Sequence, residues 1–209
     1  MAGDDFLELR ALEPRIMFDG AGAITSAEII NNDSATLPVT TDLTSNVELK
    51  KSEQKYSQIA FVDTSTNNYQ SLVKSISPYL DIVLLDPNRD GVDQIANYVD
   101  GKSGIKAIHI LSHGSDAKIK IASTELSLDN VEKYNMSLSA IGDTMAMEGD
   151  ILFYGCDITK SSAGINLINF IGSATGADIA ASNDKTGSMS LGGDWNLETK
   201  TGNIETIVA

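Results

Sequence analysis

The chain has 209 residues, 42% of them hydrophobic and 21% charged, and a formal net charge of −14 at pH 7. That balance fits one globular domain with a sizeable core plus a tail, and it excludes a chain disordered throughout. The acidity argues against a nucleic-acid partner or an anionic membrane surface, which would repel it, and otherwise speaks to solubility or to calcium-rich or saline surroundings.

No apolar stretch approaches the roughly 18 residues of a membrane span, so direct membrane insertion is not expected. Cys156 stands alone, which excludes an internal disulfide and leaves a thiol that is either a small core residue or a nucleophile. Residues 1–10 lack the positive start and apolar block of a secretory signal. The chain is therefore expected to stay in the cytoplasm or to leave by a route that reads another signal.

Residues 1–55 are polar and rich in Thr, Ser, Asn and Asp, with no sustained apolar period after Ile30, and read as an arm with local order only. Within it, Leu12-Glu13-Pro14-Arg15-Ile16-Met17-Phe18-Asp19-Gly20 sets a proline and an Asp-Gly turn around a short apolar cluster. The domain is expected over residues 56–200, with 201–209 beginning a linker. Residues 58–63 read as a strand, and Tyr69, Leu72, Val73 and Ile76 follow at helical spacing. Residues 80–86 make the next strand, and Val92, Ile95, Ala96 and Val99 the next helix stripe. Asp86 to Gly91 copies the first half of a calcium loop, but Asn97 stands where a bidentate Glu is needed, so a turn capping the helix is expected instead. Residues 107–114 give the third strand. Lys118 to Ile121 alternates with period two, and Thr124-Glu125-Leu126 returns as a hairpin. Ser127 or Asp129 is expected to cap a long helix through Val131, Tyr134, Leu138, Ile141 and Met145. Residues 150–156 form a strand, Ile165 to Ile171 a helix ended by Gly176, and residues 177–182 another strand. Residues 188–198 read as a hairpin at the sheet edge.

Strands alternating with helices predict an α/β fold, a mostly parallel sheet sandwiched between helices as a three-layer structure with a C-terminal hairpin. In such sheets functional groups gather outside the carboxyl ends of the strands, where His113 and Cys156 both fall. A histidine within reach of a cysteine favours the thiolate and later protonates a leaving group. Gly114 and Gly155 let the backbone turn sharply there, so the amides of Gly114 and Cys156 are candidates to face a developing oxyanion. His109 reads as a hydrogen-bonded core histidine instead. No cofactor and no metal-ligand set is expected.

An apolar block ending Leu111-Ser112-His113-Gly114, followed by one ending Gly155-Cys156, resembles the caspase, gingipain and legumain clan of cysteine peptidases. Residues 57–200 also resemble the N-terminal domain of unknown function of giant bacterial repeat adhesins, which carry cadherin-like and calcium-binding repeats and leave by type I secretion. The residues that carry this second likeness are Leu85-Asp86, Asp90-Gly91, the His113 and Cys156 stretches, and Gly192-Gly193-Asp194-Trp195, with Leu12-Glu13-Pro14-Arg15 similar to the Leu-Glu-Pro-Arg-x-Leu-Leu element of exported surface proteins.

The resemblance implies a caspase-like sheet, Cys156 as nucleophile, His113 as general base, and oxyanion donors at Gly114 and Cys156. It further implies a pocket beside the cysteine, for which Asp157, Ser182 and Asp184 are the candidates. An acidic pocket would take a basic side chain, whereas Lys118, Lys120 and Lys185 would favour an acidic one. The expected partner is a peptide or protein substrate, the chain's own arm included, with cleavage between Arg15 and Ile16. Surface or secreted localisation by a leaderless, type I-like route is implied. A catalytically inactive recognition or retention module of an adhesin is the alternative.

Overall fold

The computed structural model describes residues 57–207. Its elements run β1 (Gln58–Asp63), α1 (Tyr69–Ser75), β2 (Asp81–Leu85), α2 (Gly91–Val99) and β3 (Ile105–Leu111). Next come β4 (His113–Ser115), β5 (Lys118–Ile121), β6 (Thr124–Ser127), α3 (Asn135–Gly142) and β7 (Met145–Tyr154). The last are α4 (Ser162–Thr175), β8 (Asp178–Ala181) and β9 (Thr199–Lys200).

The main sheet has the order β2-β1-β3-β7-β8-β9. All its pairs are parallel except β8 with β9. Both faces of the inner strands β1, β3, β7 and β8 are covered over most of their length, which is why they read as apolar runs rather than alternating ones, whereas Leu84 of the edge strand β2 is 52% exposed. On one face Phe61, Ile108, Ile110, Ile151, Phe153 and Ile179 pack with buried residues of α2, α3 and α4. The antiparallel β4-β5-β6 sheet joins this layer through Ile119, Ile121 and Leu126. On the other face Ala60, Val62, Leu111, Leu152 and Tyr154 lie under Leu72 and Val73 of α1 and under Leu197 and Ile204. The result is a three-layer α/β sandwich.

Local chemistry explains the boundaries. Asp90 caps α2 by accepting the Asp93 amide at 3.1 Å, and its second oxygen accepts the Tyr134 hydroxyl at 2.8 Å. Asp86 accepts the Asn88 amide at 2.9 Å, so the residues that mimic a calcium loop form a turn. Gly176 ends α4 in the left-handed conformation, at φ 72°.

Three expectations shift. The long helix expected to reach Met145 is instead a 3-10 turn, Val131–Tyr134, followed by α3, with Ser127 in β6 and Met145 in β7. The last residue of α3, Gly142, packs against α4, where a Cβ would lie 2.0 Å from the Thr175 carbonyl oxygen, and the Thr144 hydroxyl bonds back to the Ile141 carbonyl at 2.7 Å. The closing antiparallel pair is β8 with β9, so residues 188–198 belong to the loop between them. Residues 201–207, read as the start of a linker, run back along the sheet: the Thr201 amide donates to the Ile179 carbonyl at 2.9 Å, and the Thr206 amide to Asp150 at 2.9 Å.

Candidate active site at the strand ends

Strands β3 and β7 are neighbours, with Leu111 opposite Tyr154, and the Ser112 amide extends the pairing by donating to the Tyr154 carbonyl at 3.3 Å. Beyond that point both chains leave the sheet. One enters β4, where His113 pairs with Lys120. The other turns through Gly155 and Cys156 to Asp157, which sits at φ 58°.

The two departing backbones are pressed together. A Cβ on Gly114 would lie 2.7 Å from the Cys156 carbonyl oxygen, and one on Gly155 would lie 3.1 Å from the Gly114 nitrogen. Glycine is needed at Gly114 for this close approach rather than for an unusual backbone angle. The interlock puts His113, exposed, and Cys156, half-buried, on the rim of one groove of about 1110 Å³. Asn68 and Leu72 line it at the start of α1, and Met189, Leu191 and Trp195 line it from the β8–β9 loop. The Cys156 amide donates to no acceptor among the described residues.

The thiol's contact is with the Thr186 carbonyl at 3.7 Å, and the Thr186 hydroxyl donates to the Gly155 carbonyl at 3.3 Å. Among the described residues no hydrogen bond joins His113 to Cys156.

Asp157 lines the groove, and its carboxylate pairs with Lys160 at 2.9 Å. Ser182 and Asp184 do not line it. Ser182 is buried, and its hydroxyl accepts the Asp184 amide at 3.1 Å. The Asp184 and Ser182 carbonyls accept the amides of Asp157 at 2.6 Å and Thr159 at 3.1 Å, which ties the turn after Cys156 to the end of β8. Arg15 and Ile16 lie outside the described residues.

The DUF4347 model, for a domain of unknown function, matches residues 59–209, the stretch that supplies the sheet and both groove walls. The chain belongs to the DUF4347 family. No curated protein matches it.

Behind the rim of this DUF4347 domain lies an aromatic relay. His109 is fully buried, and its Nδ1 is 3.1 Å from the Tyr154 hydroxyl, as a core role requires. Burial pushes its pKa down to about 4, so the imidazole is neutral at physiological pH. Its ring stacks on Tyr154 with centroids 6.0 Å apart, and Tyr154 in turn meets Trp195 at 6.1 Å. Trp195, Met189 and Leu191 received no role from the sequence, although Gly192-Gly193-Asp194-Trp195 stood out as a motif. The available signal was large apolar side chains beside paired glycines in a loop; in the structure Met189 is 85% exposed and Leu191 80%.

Two acidic groups bring oxygens within 4.8 Å of one another among the described residues. Asp184, Asp194 and Glu198 sit near the groove on the β8–β9 loop, half-buried or exposed. Asp150, Asp178 and Glu205 gather at the opposite end of the sheet.

Proposed function

We propose that this DUF4347 domain is a cysteine endopeptidase of the caspase, gingipain and legumain type, carried by an exported bacterial adhesin. The observation that carries this reading is the interlock of Gly114 with Gly155 and Cys156, which delivers an imidazole and a thiol to one peptide-sized groove. His113 takes the thiol proton, and the sulfur of Cys156 attacks the substrate's carbonyl carbon. The carbonyl π pair moves onto oxygen, and the Cys156 amide, with that of Gly114 beside it, stabilises the resulting oxyanion. His113 then returns its proton to the departing amine, leaving a thioester. Water, activated by the same imidazole, hydrolyses the thioester and restores the thiol.

For the first step the thiol must turn from the Thr186 carbonyl toward His113; catalytic hydrogen bonds commonly tighten only when substrate is bound. Met189, Leu191 and Trp195 suit apolar side chains flanking the cleaved bond. Asp194 and Asp157, the latter paired with Lys160, are the groove carboxylates that suit a basic residue, so Leu12-Glu13-Pro14-Arg15, cut before Ile16, is a matching substrate within the chain.

The rival reading, an inactive recognition or retention module, is favoured by one observation: the thiol is engaged by Thr186 and not by His113. A peptidyl chloromethyl ketone ending in arginine separates the two. Stoichiometric labelling of Cys156, lost or slowed by about 10²-fold or more in His113→Ala, is expected of the enzyme. A folded protein whose Cys156 resists both this reagent and small alkylators is the module. Self-processing is tested by mass mapping of the N-terminus over time, beside Cys156→Ala. Appearance of a chain starting at Ile16 in wild type alone is expected, and Met1 retained in both proteins rejects cleavage at Arg15.

A further inference from the structure

Asp150 is fully buried where β7 begins to pair with β8, yet its Oδ1 has no hydrogen-bond partner among the described residues. Its other oxygen accepts the Thr206 amide at 2.9 Å. A buried carboxylate with an unmatched oxygen is costly, and the surroundings add negative charge rather than relieve it. Asp178, its partner across the β7–β8 pair, and Glu205, on the returning C-terminal segment, bring carboxylate oxygens within 4.8 Å of the Asp150 carboxylate and of each other. No ion pair links any of the three to Lys or Arg among the described residues. Lys106 shares a surface cavity with Glu205 but does not pair with it.

The other contacts orient these acids rather than neutralise them. Asp178 Oδ2 accepts the Asn203 amide at 3.1 Å, and the Asn203 side-chain amide donates to Glu205. Gly202 lies flat against Asp178, where a Cβ would come 2.0 Å from Oδ1. Each carboxylate is thus held by the chain that crosses it.

We propose that Asp150, Asp178 and Glu205 form a calcium site that clamps residues 202–206 to the place where β7 and β8 begin to pair. Calcium takes hard oxygen ligands at about 2.4 Å, so two ligands on one ion lie at most about 4.8 Å apart, a limit these three carboxylates meet. Calcium tolerates an irregular carboxylate set, whereas magnesium demands near-ideal octahedral geometry at about 2.1 Å and keeps several of its waters. The cation completes Asp150 Oδ1 and offsets the charge of the cluster, while water fills the remaining positions. The Cys156 rim is at the other end of β7, so the site acts on the stability of the domain and on the path of the chain leaving it. The Asp184, Asp194 and Glu198 group has no buried unpartnered oxygen and serves as the comparison.

Calorimetric titration of the full chain with calcium chloride, after chelator treatment, tests the site, with thermal unfolding in parallel. One bound ion and a rise in Tm of about 5 °C in excess calcium are expected for wild type. Asp150→Asn and Glu205→Gln lower the affinity at least about tenfold, whereas Glu198→Gln leaves it unchanged. Glu205 is exposed, so its variant reports on binding even if Asp150→Asn fails to fold. Absence of both heat and Tm shift in wild type overturns the site, as does wild-type affinity in Glu205→Gln or loss of affinity in Glu198→Gln.

Discussion

Gly114 lies at the rim, and His109 is buried behind it. Gly114→Ala sets a methyl group 2.7 Å from the Cys156 carbonyl oxygen and 2.8 Å from the Ile158 side chain. Its expected cost is about 1–3 kcal/mol, read from urea midpoints, with loss of probe labelling at Cys156 as the two strand ends separate. His109 makes stability depend on pH. Its pKa is about 4 in the folded protein against 6.5 for an unperturbed histidine, so the unfolded chain binds a proton that the native core refuses. Its contribution is therefore fully present above the unfolded value and is lost as pH falls toward the folded one. The loss attributable to this residue is about 2 kcal/mol between about pH 7 and about pH 5. His109→Phe, followed by urea unfolding at both pH values, is expected to flatten the profile by that amount. Both residues were legible in their chemistry: an apolar run ending in His-Gly, and a histidine inside that run. Which residue Gly114 presses against was not, because the partner lies on another strand.

The loop between β8 and β9 illustrates the limit of pattern reading. Residues 188–198 carry glycines and an aromatic, the composition of a hairpin, yet they form a 3-10 turn, Met189–Leu191, and a bridge from Thr186 to Asp194. The loop is held from outside itself, by the Asp157 amide on Asp184 and by the ring of Tyr154 against Trp195. Under the peptidase reading, Trp195→Ala removes groove wall without touching the dyad. A KM about tenfold higher with little change in kcat is expected in peptide hydrolysis assays. The long helix expected before β7 ended early for a related reason. Its apolar spacing continued past Gly142, but the chain leaves the helix where Gly142 meets the Thr175 carbonyl of α4 and enters β7 at Met145. Helical period marks which residues face inward; where a helix must stop depends on what it meets.

The domain closes on itself through its C-terminal segment. Ile204 packs on the face that holds Tyr154 and Leu197, and the Thr206 amide donates to the Asp150 carboxylate. Truncation after Lys200 is therefore expected to destabilise by roughly 3 kcal/mol, measured by denaturant unfolding, by exposing that apolar face and stripping a buried carboxylate. A true linker would be removed at no cost. Composition and periodicity carried the parallel sheet, most of its helices and the rim where His113 and Cys156 emerge, because strand burial and helix amphipathicity are written locally, in runs of a few residues. Long-range packing settled the groove walls, the separation of Ser182 and Asp184 from the groove, and the meeting of Asp150, Asp178 and Glu205. Those groupings join segments far apart in the chain, and a local pattern carries no information about which distant segment will lie against it.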